Sequence, residues 1–517
     1  MRVRSSFDGG QLAAVGFALV SGSIFAVPAV GATPWLCLGG DSAHTATRMQ
    51  AVPELDAPRW TLSATSDGRP IEFNAGSGVA IGYRPAVAGN LARSSSSVAP
   101  GAATVQTRDR LAVPPVDSVL PTEPIVVVSA LIDGDSRALG VRAATGEIVW
   151  NQSVPAPVFE SISTPAVAQD AGVALFAAGS QLTAISLADG SVAWRTMLGQ
   201  PVVDASPVVT TDLGARQRAF VVEYGGFGGP SQMYCINISP RQGSVNPFDP
   251  GQVVWSVFVG SAVGATAAYA NGVVYVASTG LDGPGNGEVR AFSATATMAP
   301  APLWSFTNPI DSGFFGGLAL RQSGGTTFVY GASYAFGGGM DSSNLVKLNG
   351  ATGALVWSAP CNRTESMPIV LLDGRIVLST GISGFGSQPS VELFRDNGIS
   401  ATLLWDTALA TWQDTNHDGA LQAGEFIAAG GWTNQPVLLQ QPGSPKLHLL
   451  VGSLSTDESE FGVYNQLMAL DLSKSPGQTG FFAKESVLSV GGATPAAEGG
   501  SLYTIGKSGL TAFGPRP

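Results

Sequence analysis

The chain has 517 residues, 44% apolar and only 12% charged, with a formal net charge of −11. Its 66 Gly and 34 Pro exclude a protein of long helices, because both interrupt them. The acidic balance excludes a nucleic-acid partner, and plentiful apolar residues beside scarce charge exclude a disordered chain.

Arg2 and Arg4 precede an uncharged stretch over residues 11–40, apolar at 12–30 and ending in Val30-Gly31-Ala32. This order predicts a secretory signal peptide over residues 1–32. An uncleaved anchor is the alternative, since the stretch is just long enough to span a bilayer. The expected mature protein is periplasmic or secreted, monomeric and without stable membrane insertion. Residues 33–58 read as a lead-in, and removing them as far as residue 54 is expected to have a mild effect.

From there the sequence repeats. Seven of the ten tryptophans close a similar phrase: Trp60, Trp150, Trp194, Trp255, Trp304, Trp357 and Trp405. Turns such as Ala144-Thr145-Gly146-Glu147 and Ala188-Asp189-Gly190-Ser191 precede several of them. A second phrase, a small or polar residue followed by Pro and apolar residues, opens units at Pro85, Pro165, Pro207, Pro368, Pro436 and Pro495. Proline suits the start of a strand, where no ladder donor is lost. Two units lack it and open near Gly264 and Gly316. Short apolar runs fill the intervals, for example 173–177, 273–277 and 447–451. Each unit therefore holds four strands, and four-stranded units of this length are propeller blades. Eight openings are present, but the eighth unit ends at Phe513 without a fourth strand. Arg59-Trp60-Thr61-Leu62 is a fourth strand without its first three. The fold expected is all-β: an eight-bladed β-propeller of four-stranded antiparallel blades over residues 59–514, its ring closed by the N-terminal strand. A Ser-, Pro- and Ala-rich insertion occupies 94–122 in blade one. The tryptophans read as rings packed between blades.

Thr145-Gly146-Glu147-Ile148-Val149-Trp150, Leu182-Thr183-Ala184-Ile185 and the Thr-Pro-Ala-Val openings resemble PQQ-type, quinoprotein-like propeller repeats. Gly39-Gly40-Asp41-Ser42-Ala43-His44-Thr45, followed by Pro58-Arg59-Trp60, resembles the start of such proteins. The family includes quinoprotein alcohol dehydrogenases and a non-enzymatic, eight-bladed outer-membrane assembly lipoprotein. For the dehydrogenases the resemblance implies an adjacent cysteine pair at the quinone, calcium held by acidic and amide residues, and an Asp base. Here Cys37, Cys235 and Cys361 are never adjacent, no Cys-x-x-Cys-His haem site exists, and His44, His417 and His448 have no metal spacing. No catalytic residue is assigned and no enzyme is expected. At most one disulfide can form, with Cys235–Cys361 the candidate pair and buried free thiols the alternative.

One segment breaks the repeat. Residues 414–425 match an EF-hand loop, with Asp414, Asn416 and Asp418 at positions one, three and five. Gly419 permits the turn at position six, Ala420 offers its carbonyl at seven, Gln422 stands at nine and Glu425 at twelve. A structural calcium site is expected, between blades six and seven. Strand alternation puts this loop on the same face as the second-to-third-strand hairpins of each blade. Tyr224, Phe227, Phe336 and Phe385 on those hairpins are the candidate partner-binding surface, because loops on a rigid frame carry function and aromatics dominate hot spots. The alternative is that these rings only cover their own hairpins. The functional expectation is an exported, non-catalytic scaffold for a protein partner. A PQQ-dependent dehydrogenase and a glycan-binding surface protein are the alternatives.

Overall fold

The computed structural model describes residues 34–515 except 75, 86–121, 159–160, 227–228, 262–263, 280–285, 336–338, 383–386, 410–428, 455–463, 486–490 and 507. The expected signal peptide, the insertion in blade one (but for residue 122), the calcium loop, Phe227, Phe336 and Phe385 lie outside the described residues.

The Pro-apolar phrases do open innermost strands. Pro165, Pro207, Pro368, Pro436 and Pro495 each stand one residue before Ala166–Ala168, Val208–Val209, Ile369–Val370, Val437–Gln440 and Ala496–Glu498. Blades four and five open at Ala268–Ala270 and Ala319–Ser323. In blades one to seven the sheet grows outward from the innermost strand in sequence order, as in blade two with Val173–Ala178, Gln181–Ser186 and Val192–Met197. Eight blades of four antiparallel strands form the ring.

Blade one departs from expectation. Pro85 ends its innermost strand, Ala80–Pro85, instead of opening it. That strand pairs with Thr122–Ile132, so the proline stops the ladder where the insertion leaves the blade.

Blade eight closes as predicted. Trp60–Leu62 pairs antiparallel with Gly509–Phe513, with Trp60 opposite Ala512 and Leu62 opposite Leu510. This removes an open sheet edge and ties the two ends of the ring together.

The tryptophans have a common local cause. In blades one, two, three, five and six, a register shift places one extra residue just before the Trp: Val149, Ala193, Val254, Val356 and Leu404. Such a bulge re-aims the side chain that follows it. Trp150 and Trp194 thereby reach the neighbouring blade's third-to-fourth-strand turn, at Gly190 and Gly251. In blade seven Phe481 takes the equivalent contact with Trp405, edge-on at 87° and 5.6 Å between centroids.

All three cysteines are buried free thiols. Cys235 lies in the third strand of blade three and Cys361 at the end of the fourth strand of blade five, so the Cys235–Cys361 disulfide is not formed. Among the described residues no helix is long and apolar enough to cross a membrane.

Candidate functional site: the mouth of the central channel

The chain enters each innermost strand at the channel rim. The residues just before these strands repeat in register, and two positions matter. The nearer position holds Gly78, Thr164, Ser206, Thr266, Gly317, Met367, Gln435 and Thr494. Its side chains link blade to blade. Gly78 N–H donates to Thr164 Oγ1, Thr164 N–H to Ser206 Oγ and Ser206 N–H to Thr266 Oγ1, each at 2.9 Å. Met367 N–H donates to Gln435 Oε1 at 2.8 Å. Thr164, Ser206, Thr266 and Gln435 thus each accept one backbone donor from the neighbouring blade, which would otherwise be left unpaired.

Two residues earlier the chain points into the channel. Blade four has Gly264 there, where a Cβ would stand 2.8 Å from the Phe315 carbonyl oxygen. The loops converge too closely at that point for a side chain. At both proline-free openings, near Gly264 and Gly316, neighbouring backbone leaves no room for a side chain. At Gly316 a Cβ would overlap the Glu365 carbonyl.

The same position holds Asp204 in blade three and Glu365 in blade six. Both line a cavity of about 30 Å³, shared with Leu38, Ile162, Thr433 and Thr494. That is room for about two water molecules. Both carboxylates are half-buried. The surrounding protein raises the Asp204 pKa to about 6, chiefly by desolvation. Desolvation, with the nearby Asp204 charge, pushes Glu365 well above the usual carboxylate range.

An aromatic collar stands beside this pair. Phe315 and Tyr334 have centroids 4.9 Å apart, Tyr334 and Trp432 5.6 Å, and Tyr224 packs against them. Tyr224, predicted as part of an exposed partner surface, is therefore half-buried in this collar. It feels the charge of Asp204, which together with burial raises its pKa.

The floor of the cavity was not foreseen. Residues 35–46 lie against the innermost strands. Ile81, Val167 and Tyr269 N–H donate to the carbonyls of Trp35, Leu36 and Ser42, each at 2.7 Å. Leu320 N–H reaches Ala43 O at 2.9 Å and Leu438 N–H reaches Ala46 O at 2.8 Å. Thr47–Met49 then pairs in parallel with the innermost strand of blade seven. One short segment thus bonds five of the eight blades from inside. Its turns use positive φ at His44 (56°) and Ala46 (48°), a strained course that dense bonding sustains. Asp41 accepts the N–H groups of Ala43 and Thr45, and the Arg48 guanidinium covers the Trp35 ring at 4.6 Å. Cys37 and His44 are buried in this plug. Burial pushes the thiol pKa up and the imidazole pKa down, so both stay neutral.

A tricyclic quinone cofactor needs a pocket of a few hundred Å³. The residues at this mouth do not fit one. They leave a tenth of that space, closed below by Leu38, with no adjacent cysteines.

A repeat-family profile described as outer membrane protein assembly factor BamB matches residues 88–238. No curated protein sequence matches the chain. Among solved structures, a europium-containing methanol dehydrogenase aligns over 92% of this chain and 88% of its own, at 10% identity and TM-score 0.52. The quinohemoprotein alcohol dehydrogenase from Comamonas testosteroni aligns over 93% of this chain and 77% of its own, at 12% identity and TM-score 0.52. BamB from Moraxella catarrhalis aligns over 75% of this chain and 90% of its own, at 15% identity and TM-score 0.46. At such identities the two dehydrogenase structures show the propeller fold alone.

Proposed function

We propose that this chain is an exported, non-catalytic β-propeller that serves as a scaffold for a protein partner, with a structural calcium site at residues 414–425. The observation that carries the reading is the occupied channel. Where a propeller enzyme would hold a cofactor, this chain puts its own residues 35–46 and a cavity of about 30 Å³. The match of residues 88–238 to a family of assembly factors supports the same direction. Export rests on the signal-like residues 1–32, and calcium on the ligand pattern from Asp414 to Glu425.

Crosslinking and pull-down from the native envelope, beside a quinone-dependent dye-reduction assay with alcohols and sugars, test this reading. A recovered protein partner without dye reduction is expected. Dye reduction that needs added quinone would replace the scaffold with a dehydrogenase.

A further inference from the structure

Asp204 and Glu365 share one small space. Glu365 Oε2 lies 3.8 Å, and Asp204 Cβ 3.2 Å, from the point where a Cβ at Gly264 would stand. Asp204 accepts one hydrogen bond, from Ile162 N–H at 2.9 Å. The Glu365 carboxylate accepts none from the described residues, and no lysine or arginine is among the charges that act on either group. A carboxylate drawn partly out of water without a donor is costly, and a second one beside it more so. The polar residues around them are committed elsewhere: Thr266 Oγ1 to Ser206 N–H, Thr494 Oγ1 to the Gly76 carbonyl, and Ser366 Oγ to Asn434. Among the described residues the two carboxylates share a single donor, Ile162 N–H.

We propose that the channel mouth binds a single primary ammonium group between Asp204 and Glu365, carried by a free amine or by a lysine side chain. Size fits: an ammonium head is about as large as a water molecule, and the cavity takes two such volumes. Donor number fits as well. An ammonium has three N–H donors, and the side chains of Asp204 and Glu365 both line the cavity that would receive them. The collar of Phe315, Tyr334, Trp432 and Tyr224 provides aromatic surface for the charge and its methylene stem. A divalent metal is served poorly. Among the described residues no third Asp, Glu, His or Cys joins the pair, whereas calcium takes six to eight oxygens. The proposal does not rest on the scaffold reading, since a free amine can bind without any partner.

The test is calorimetric titration of the full chain at pH 7.5 with n-butylammonium and with Nα-acetyl-lysine amide. Wild type should bind at least one of them. Both binding alike identifies a free-amine site, and the lysine amide alone identifies a side-chain receptor. Asp204→Asn with Glu365→Gln should weaken binding at least tenfold while the melting transition stays cooperative. If the double variant does not fold, Glu365→Gln alone carries the comparison. Absence of binding to wild type, or equal binding by the folded variant, would overturn the proposal. So would calcium binding that needs Asp204 and Glu365 when neither amine binds.

Discussion

Trp150 of blade one closes over Gly190 of blade two: a Cβ on Gly190 would stand 2.5 Å from Trp150 Cβ. The Trp150 indole N–H donates to the Leu187 carbonyl at 3.3 Å. Trp60 meets Gly146, Trp194 meets Gly251 and Trp304 meets Gly353 in the same way, so each ring latches its blade to the next. Trp255 has no such partner. Blade four lacks a glycine in its turn, and the Trp255 Nε1 makes no hydrogen bond among the described residues.

Gly190→Ala should therefore cost more than its backbone alone. Gly190 has φ +75°, and Gly172 has φ +65° but open space around it. Gly172→Ala carries only the left-handed penalty, about 1 kcal/mol. Gly190→Ala adds the displacement of Trp150 and should cost about 3 kcal/mol or more. Urea denaturation of both variants checks this, and equal losses would remove the latch.

Trp60→Ala attacks ring closure. Trp60 packs on Gly146 and Tyr503 and donates to the Ala143 carbonyl at 3.1 Å. A loss of about 2–4 kcal/mol is expected, as for other large aromatic truncations. Deleting residues 34–64 should go further and cause aggregation, because it exposes the Gly509–Phe513 edge. An unchanged melting transition would contradict closure.

Deletion of residues 34–54 separates the plug from the closing strand. Read as a lead-in, this segment is expected to be removable with mild effect, but Trp35 is buried in the core with the blade-one and blade-eight strands. The five backbone donors it satisfies would be left in an opened channel. We expect a loss of at least about 3 kcal/mol, by the cost of a removed buried Trp alone. Differential scanning calorimetry of the truncated chain provides the check.

The carboxylate pair makes stability pH-dependent with a definite sign. Burial raises Asp204 to about 6 and Glu365 well above its usual value. The native state thus keeps protons that the unfolded chain releases near pH 4. Where the folded state binds more protons, stability falls as pH rises. The contribution of the pair should be intact below pH 4 and decline through pH 6 and beyond. Asp204→Asn with Glu365→Gln should abolish this decline and, without an amine present, exceed wild type at pH 8 by roughly 1–3 kcal/mol. Equal pH profiles for the two proteins would contradict the assignment.

Calcium should raise the melting temperature of wild type and not of Asp414→Ala with Glu425→Ala. At about a hundredfold excess over its dissociation constant the gain is close to 3 kcal/mol. Isothermal calorimetry with calcium gives an independent reading of the same loop.

Repetition made the architecture legible. Strand period, the recurring Trp and the Pro openings are local signals, and eight copies let each correct the others. Even the orphan Trp60 strand could be placed, because a ring with one missing strand has one vacancy. Pro85 misled because the same dipeptide can open a strand or end one, and only the partner strand decides which. The channel acids were present in the repeat as well: Asp204 and Glu365 each stand three residues before the opening proline, in register with Ile162 and Thr433. What no local pattern could show is that blades three and six, about 160 residues apart in the chain, aim that position at one point beside Gly264. The path of residues 35–46 is likewise a tertiary matter. Its hydrogen bonds run to residues as distant as Leu438, and a segment without its own periodicity acquires a course only from the walls that surround it.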